Sequence, residues 1–382
     1  MRIKSALHEQ HEPRAAEASL RALIAIDRAA TELRRGGFVA LRQGETNLLV
    51  LAAETVTDAT LGALARRTGT APTLAITRRR AAVLGIAEPP QGPGGSVLLS
   101  VLDGTGAETL RDLADPSAPK RSPPPIAVVD AEMRTAANAA VELVKLARLL
   151  PAAAVAVLPR GAIERTLSDG LFVVEGADVL DYQASAARTL LPVSEARVPL
   201  AGAENTRIIS FRPSDGGLEH LAVLIGEPDP ATPVLTRLHS ECFTGDLLGS
   251  LRCDCGDQLR GAIAEIGRVG SGVLLYLAQE GRGIGLVNKL RAYELQDAGF
   301  DTVDANEQLG FDADERVYLP AAEMLRQLGF ARVKLLTNNP EKMTALTRCG
   351  ITVVERVPHI FPANDHNERY LRTKAAKSGH LL

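Results

Sequence analysis

The chain has 382 residues, enough for two or three domains that each bury a hydrophobic core. Its composition, 46% hydrophobic and 23% charged, is ordinary for a soluble globular protein, and no apolar segment is long and uncharged enough to span a bilayer. A net charge of -3 without a basic tract, and an aromatic content of only 3%, give no reason to expect binding to nucleic acid or to an anionic membrane.

The first half of the chain mixes helical and strand-like segments. Two segments rich in alanine, Ser19–Arg28 and Ala136–Ala147, have helical periodicity. Short apolar runs predict strands at Phe38–Leu41, Leu48–Leu51, Val97–Val101 and Ala154–Val157. The proline-rich segment Asp115–Pro125 cannot continue a helix or a central strand and therefore predicts a loop. We expect a mixed α/β fold here.

The character of the sequence changes near Leu191–Leu200, where turn signals become dense. We place a domain boundary there, which gives an N-terminal domain of residues 1–190 and a C-terminal domain of residues 191–382. Apolar runs in the second domain predict strands at Val273–Leu277, Val333–Leu336 and Ile351–Val354.

Helix signals in the second domain are equally clear. The glycine-rich segment Gly281–Gly285 predicts a tight loop, and the following helix, Leu286–Ala298, ends before Gly299. Asn339 is a plausible N-cap with proline at the first helical position, and this second helix stops at Gly350.

Cys242, Cys253 and Cys255 are clustered at a spacing that lets three thiolates bind one soft divalent metal, and zinc suits them. Structural zinc sites normally have four protein ligands, whereas catalytic sites have three and leave one position for water. The cluster therefore suggests catalysis. Clustered thiols also fit a reducing compartment, so we expect a cytoplasmic protein.

A fourth protein ligand would instead make this site structural, and His239, His359 or Cys349 are the candidates. Cys349 ends an amphipathic segment, where a lone cysteine is usually a small buried hydrophobe. His239 lies three residues before Cys242 on a predicted strand, so alternation would turn it to the opposite face unless the backbone bends there.

Five segments in the second half carry a family resemblance: Arg237–Cys242, Cys253–Cys255, Gln279–Leu286, Asp312–Arg316 and Leu336–Lys342. In order and spacing they closely resemble GTP cyclohydrolase II, the enzyme that begins riboflavin synthesis. The resemblance runs from about Val198 to Leu382. It implies that the substrate is GTP and that the products are formate, pyrophosphate and 2,5-diamino-6-(5-phosphoribosylamino)pyrimidin-4(3H)-one.

The same resemblance implies one zinc ion per subunit on the three cysteines, with Mg2+ accompanying the GTP triphosphate, in a homodimer. It assigns GTP binding to Arg237, Leu238, His239, Ser240, Glu241, Gln258, Glu280, Gly281, Arg282, Thr302, Thr337 and Lys342. Among these, Glu280 is a candidate to read guanine, because a carboxylate accepts from both N1-H and the 2-amino group. Thr337 and Lys342 flank a helix start, where free backbone N–H groups favour a phosphate.

The catalytic residues implied by the resemblance are Tyr293, Asp314 and Arg316. Tyr293 would assist attack of water at C8 of the purine, where two hydrolytic steps open the ring and expel formate. Arg316 would be the nucleophile toward the α-phosphate, with Asp314 as proton acceptor. An arginine holds its proton tightly, so a plainer alternative is that Arg316 only neutralises phosphate charge.

The first half faintly resembles 3,4-dihydroxy-2-butanone 4-phosphate synthase, at Ala30–Leu41, Leu51–Thr57 and Ala139–Leu143. Where that enzyme carries its acidic metal-binding run, this chain has Gln43–Leu48, and where it carries a Gly-His-Thr-Glu motif, this chain has Thr135–Asn138. Magnesium needs oxygen ligands that include carboxylates, so we predict that this half has lost synthase activity and acts as a folded platform, for example in dimerisation.

Two other function classes are compatible with parts of the pattern. A non-catalytic nucleotide-binding protein would keep the scaffold, but every catalytic position implied by the resemblance is filled. A zinc-stabilised nucleic-acid module would need the basic surface and the aromatic residues that this chain lacks. One departure from the expected pattern is Leu277–Ala278, where many relatives have polar or basic residues, and it bears only on the affinity for substrate.

Overall fold

A computed structural model describes residues 12–100, 106–118, 126–129, 133–159, 161–163, 170–362, 364–368, 372–373, 376–377, 379 and 381. Of the described helices, none combines the length and the apolar character needed to cross a membrane. In the N-terminal half the described helices are α1 (Glu12–Arg34), α2 (Asp58–Thr68), α3 (Arg78–Val83), α4 (Ala107–Ala114), α5 (Arg134–Leu146) and α6 (Gly176–Arg188). The strands there are β1 (Val39–Gln43), β2 (Thr46–Ala52), β3 (Thr73–Thr77), β4 (Ser96–Ser100), β5 (Ala152–Val157) and β6 (Phe172–Glu175).

In the C-terminal half the helices are α7 (Cys255–Val269), α8 (Leu286–Asp297), α9 (Thr302–Gln308), α10 (Leu319–Gln327) and α11 (Pro340–Arg348). The strands are β7 (Leu191–Arg197), β8 (Thr206–Arg212), β9 (His220–Ile225), β10 (Val234–Ser240), β11 (Gly272–Leu277), β12 (Arg332–Leu336) and β13 (Thr352–Val357). Two short helical turns, Phe243–Leu247 and Glu280–Gly283, follow β10 and β11.

The N-terminal half is built on a six-stranded sheet in the order β4-β3-β5-β2-β1-β6. Its strands pair antiparallel except for β1 with β6. Successive residues of β2 point to opposite faces, so Leu49 and Leu51 enter one core while Leu48 and Val50 enter another. Helices therefore cover both faces of this sheet.

The C-terminal half is built on a seven-stranded sheet in the order β13-β12-β10-β11-β9-β8-β7. Strands β13, β12, β10 and β11 are parallel, and the remaining three are antiparallel. Helices α10 and α11 pack on one face with Leu275, whereas α7 packs on the other with Leu274. In such sheets ligands bind beyond the carboxyl ends of the parallel strands.

The predicted mixed α/β fold class is confirmed. The helices predicted at Ser19–Arg28 and Ala136–Ala147 correspond to α1 and α5, and the one at Leu286–Ala298 corresponds to α8. Asn339 caps α11 as predicted, because its side chain accepts from the N–H of Glu341. The change from one sheet to the other falls between α6 and β7, near residue 190; the division into two domains at that point stays our proposal.

Some predicted elements differ from the observed ones. Strand β13 covers Thr352–Val357 rather than Ile351–Val354, because an edge strand tolerates the charged residues at its end. Strand β7 was not predicted from the sequence. All of its residues are exposed, so its sequence does not show the alternation that marks a half-buried strand. Val101 and residues 119–125 of the predicted loop lie outside the described residues.

Candidate active site

A cleft opens beyond the carboxyl ends of β10 and β11, as expected for a sheet of this topology. Most of the residues singled out from the sequence line it: Arg237, His239, Ser240, Glu241, Cys242, Cys253, Cys255, Gln258, Glu280, Gly281, Arg282, Tyr293, Thr302, Arg316 and Lys342. Residues far apart in the sequence thus converge on one cavity.

Three of the sequence candidates are not among the lining residues. The Leu238 side chain is buried in the hydrophobic core, and only its carbonyl oxygen faces a site residue, accepting from Lys342 Nζ at 3.0 Å. Thr337 is buried, and its hydroxyl accepts from the N–H of Asn339 at the start of α11. Asp314 stands behind Arg316. Direct side-chain contact with substrate is therefore not expected from Leu238 or Thr337.

The three cysteine sulfurs lie within 4.8 Å of one another. Cys242 Sγ is 3.7 Å from Cys253 Sγ, and zinc–sulfur bonds of about 2.3 Å at tetrahedral angles place two sulfurs about 3.8 Å apart. A Cβ atom on Gly245 would lie 2.8 Å from Cys253 Sγ and 2.9 Å from Cys242 Sγ, so only glycine leaves room here. Donor chemistry and geometry fit a thiolate-bound metal ion.

None of the three candidate fourth ligands belongs to the group of atoms that could hold one metal ion. Among the described residues, the metal-ligand group contains no member beyond the three cysteines. His239 Nε2 is 3.0 Å from Asp246 Oδ1, and His359 Nε2 is 2.8 Å from the carbonyl oxygen of Gln258. Cys349 packs against the hydrophobic core of the C-terminal half, as its helix-end position predicts. The arrangement favours a three-ligand site.

Asp246 organises the turn that carries Cys242, a role that the sequence reasoning missed. Its carboxylate accepts from the Cys242 N–H at 3.0 Å and from the Tyr276 hydroxyl at 3.0 Å, and it pairs with His239. His239 and Cys242 thus line the same cleft, although alternation along a continued strand would turn them to opposite faces. Burial lowers the pKa of His239 although Asp246 opposes the shift, so the ring is neutral.

Lys289, on α8, is the most important site residue that the sequence reasoning missed. Its ammonium group is buried and bonds Glu280 Oε1 at 2.7 Å, Cys242 Sγ at 3.0 Å and Thr244 Oγ1 at 3.0 Å. Burial alone would lower the pKa of Lys289, but the hydrogen bonds to Glu280 and Cys242 raise it above its usual range. A fixed positive charge therefore stands beside the sulfur cluster.

The Glu280 carboxylate already accepts three hydrogen bonds within the protein, which bears on the hypothesis that it recognises guanine. It is 3% exposed, and its carboxylate accepts from Lys289 Nζ, from the Phe243 N–H at 2.6 Å and from the Gly281 N–H at 3.1 Å. These bonds hold the turns after β10 and β11 together. Recognition of guanine by Glu280 stays a prediction, and the base would have to share a carboxylate that already has three donors.

Tyr293 lies on α8, one helical turn beyond Lys289. Its hydroxyl is 3.2 Å from Thr244 Oγ1, and the guanidinium carbon of Arg252 lies 5.0 Å from its ring centroid. Burial raises the pKa of Tyr293, with the Thr244 hydrogen bond opposing the shift, so the phenol keeps its proton at neutral pH. It is thus able to donate as well as accept a hydrogen bond in the cleft.

Arg316 and Asp314 form a bidentate ion pair. Arg316 Nε donates to Asp314 Oδ1 at 2.8 Å, and its terminal nitrogen Nη2 contacts Oδ2. Burial alone would raise the pKa of Asp314, but the charge and hydrogen bonds of Arg316 outweigh it and hold that pKa below its usual value. The pair therefore presents a guanidinium to the cleft with a carboxylate behind it.

Several buried polar atoms of the lining residues have no hydrogen-bond partner among the described residues. They are Arg237 Nε, His239 Nδ1 and Asn306 Nδ2. Unpaired buried polar atoms are costly and uncommon, and three of the eight found among the described residues belong to this cleft, where a polar ligand is able to pair with them. Burial lowers the pKa of Arg237 to about 10, which still leaves it charged at neutral pH.

Comparison with known proteins agrees with this geometry. A sequence profile of GTP cyclohydrolase II matches residues 192–358. The GTP cyclohydrolase-2 of Azospirillum brasilense is 58% identical over 368 residues, which cover 94% of each chain. This chain belongs to the GTP cyclohydrolase II family. The corresponding protein of Xylella fastidiosa is 40% identical over 366 residues, covering 94% of this chain and 88% of that protein.

Other members of the GTP cyclohydrolase II family match about half of this chain. The Citrobacter koseri protein is 54% identical over 190 residues, which are 50% of this chain and 96% of that one. Among solved structures, a two-domain 3,4-dihydroxy-2-butanone 4-phosphate synthase from A. baumannii covers 89% of this chain and 99% of its own, at 18% identity and a TM-score of 0.35. The GTP cyclohydrolase-2 relatives therefore match either nearly all of this chain or about half of it.

Proposed function

We propose that this enzyme hydrolyses GTP to formate, pyrophosphate and 2,5-diamino-6-(5-phosphoribosylamino)pyrimidin-4(3H)-one, the first step of riboflavin synthesis. The observation that carries the proposal is the three-cysteine group, which has no fourth ligand among the residues that the structure describes, at the wall of a cleft that also holds Arg237, Arg316 and Lys342. Thiolates for a metal and cations for a triphosphate in one cavity suit hydrolysis of a nucleotide.

Cys242, Cys253 and Cys255 would hold one zinc ion per subunit. When bound, zinc supplies Lewis acidity, which lowers the pKa of water and favours hydrolytic attack on an electron-poor ring carbon. The cleft would place C8 of the purine beside the three cysteines. The protonated Tyr293 hydroxyl, held near Thr244, would accept a hydrogen bond from the attacking water and donate one to the substrate, and so orient the attack.

The phosphate end of GTP would lie toward Arg316 and Lys342, with Mg2+ accompanying the triphosphate. The fork of Arg316 suits bidentate contact with phosphate oxygens. The bidentate pair with Asp314 stabilises the charged guanidinium and so favours the phosphate-clamp role. For Arg316 to act as a nucleophile, Asp314 would have to take its proton during attack.

Incubation of the zinc-loaded protein with GTP tests the proposal, with formate measured directly and the diaminopyrimidine followed by absorbance. Cys255→Ser and Arg316→Ala should abolish product. Absence of formate from a zinc-loaded sample that binds GTP would reject the activity and leave a nucleotide-binding protein.

The N-terminal half is proposed to lack synthase activity. Gly44, Thr46 and Leu48 stand where a magnesium-binding synthase needs carboxylates. Formation of the butanone phosphate from ribulose 5-phosphate and Mg2+ by the purified protein would overturn this. We also propose a homodimer in the cytoplasm; sedimentation equilibrium and cell fractionation test these two points.

A further inference from the structure

The N-terminal half covers the side of the catalytic half that carries Tyr293 and Arg316. Ile284, Ala292 and Leu295, from and next to α8, are at most 6% exposed and share one hydrophobic core with residues of β2, β3 and β5. Leu309 and Phe311, which precede the Asp314–Arg316 segment, belong to the same core. The two halves are therefore packed together through the elements that carry the catalytic residues.

Helix α8 is attached to the N-terminal half by polar contacts as well. Arg291 makes a bidentate pair with Glu54, with nitrogen–oxygen distances of 2.9 and 3.2 Å and both side chains 20% exposed. Glu54 is itself fixed, since its Oε2 accepts from the Leu150 N–H at 2.8 Å. Arg291 lies two residues from both Lys289 and Tyr293. The pair with Glu54 therefore fixes the position of the helical turn that faces the sulfur cluster.

A second set of contacts holds the segment that carries Asp314 and Arg316. Arg79 donates to Asp312 Oδ1 at 2.7 Å and to Glu307 Oε1 at 3.0 Å. Lys145 Nζ lies 2.9 Å from Glu315 Oε1. The side chains of Arg79, Asp312, Lys145 and Glu315 are 11–21% exposed, so water screens these pairs less than surface pairs.

The contacts alternate with the catalytic residues along the chain. Asp312 and Glu315 form ion pairs with residues of the N-terminal half, whereas Asp314 and Arg316 form an ion pair with each other beside the cleft. Just before them, the carbonyl oxygen of Gly310 accepts from the Thr77 hydroxyl at 2.7 Å. Misplacement of a reacting group by about 1 Å costs on the order of 100-fold in rate, so such anchoring bears directly on turnover.

We propose that the N-terminal half, which has lost the residues of a synthase, positions the catalytic residues of the C-terminal half. Arg79 and Lys145 act on Arg316 through Asp312 and Glu315, and Glu54 acts on Tyr293 through Arg291. None of these positioning residues is among those lining the cleft. The inference rests on the proposed GTP hydrolysis, and it gives the first half a role in that reaction.

The test compares full-length Arg79→Met, Arg79→Lys and Glu54→Gln with the unaltered chain. The first variant removes the charge that holds Asp312, the second restores a charge without the fork, and the third keeps the size of Glu54 and weakens its pair with Arg291. Arg42→Met is the matched control, because Arg42 pairs with Glu175 within the N-terminal half at 47% and 43% exposure.

We expect kcat for formate release to fall about 10- to 100-fold in Arg79→Met and Glu54→Gln, since the reacting groups lose their positions. The KM for GTP should change less than about threefold, because most phosphate and base contacts persist. Arg79→Lys should recover part of kcat, and Arg42→Met should match the unaltered chain. Zinc content and the thermal midpoint are measured on every sample.

Variants that keep the kcat of the unaltered chain within about twofold would overturn the inference, since displacement of the reacting groups must slow the chemical step. Loss of kcat only together with loss of zinc or of cooperative unfolding would also count against it, as that result indicates a general contribution to stability. If the unaltered chain itself releases no formate, the proposed function fails, and the comparison of variants is then made on the crystal positions of Arg316 and Tyr293.

Discussion

Lys289 places its ammonium nitrogen 3.0 Å from the sulfur of Cys242 and 2.7 Å from a carboxylate oxygen of Glu280. Hydrogen bonds from the Cys253 and Cys255 thiols lower the pKa of Cys242, and Lys289 adds to that shift. One buried cation thus contacts a proposed metal ligand and the acidic residue that ties two loops together. It links the electrostatics of the sulfur cluster to the architecture of the cleft.

Replacing Lys289 by Met is expected to lower both stability and metal affinity. The change leaves Glu280 buried without its cation, and breaking such a pair costs about 3–5 kcal/mol in the free energy of unfolding. Urea unfolding and competition with a zinc chelator measure the two effects. Lys289→Met combined with Glu280→Gln should recover part of the stability, because no unpaired charge is then buried.

The control for this prediction is Lys334→Met, since Lys334 pairs with Glu355 at 45% and 53% exposure. An exposed pair contributes no more than about 1 kcal/mol. Equal destabilisation by the two lysine variants would show that the buried pair has no special role.

Much of the site could be predicted because its residues lie in short motifs with characteristic chemistry. The three cysteines converge as their spacing suggested, and Asn339 caps its helix. Lys289 was missed because a helical lysine usually points to solvent. Its position four residues before Tyr293 places both on one helical face, which is the signal available in the sequence.

The remaining features depend on contacts between segments far apart in the chain. Glu280 meets Lys289 and the Phe243 N–H only because β10 and β11 pair in parallel and end side by side. Arg79 and Asp312 are 233 residues apart, and nothing in either local sequence marks the other as its partner. Local patterns identify elements and motifs, whereas such pairings follow from the tertiary fold.

Serine variants should distinguish the three clustered cysteines from Cys349. Cys255→Ser removes one of the three sulfurs and should reduce zinc per subunit, measured by atomic emission, together with formate release. Cys349→Ser is the matched control, since Cys349 packs on the hydrophobic core of the same half. Equal zinc content in the two serine variants would contradict the three-cysteine assignment.

The ion pair between Asp314 and Arg316 predicts how the free energy of unfolding depends on pH. Arg316 holds the folded-state pKa of Asp314 below its unfolded value of about 3.9. The unfolded state then binds more protons in this range, so the contribution is complete above about pH 5 and is lost as pH falls through the folded pKa. The difference in unfolding free energy between the unaltered chain and Asp314→Asn should therefore shrink below about pH 4.

Chemical denaturation at a series of pH values measures this difference. Asp257→Asn serves as the control, because Asp257 pairs with Arg260 in the open, at 57% and 59% exposure, where the ion pair contributes little. A difference for Asp314→Asn that stays constant from neutral pH to pH 3 would show that the pair with Arg316 does not stabilise the folded carboxylate.

Gly245 allows the sulfur cluster to close, and its replacement by Ala should open it. The added Cβ would lie 2.8 Å from Cys253 Sγ and 2.9 Å from both Cys242 Sγ and Cys255 Cβ, closer than van der Waals contact permits. Since these atoms belong to the ligands themselves, they cannot move apart without losing tetrahedral geometry around one ion. We expect weaker zinc binding in chelator competition and a parallel loss of formate release. Gly92→Ala, which meets no atom within 4 Å, is the control; zinc affinity in Gly245→Ala equal to that of this control would show that the added Cβ does not separate the three sulfurs.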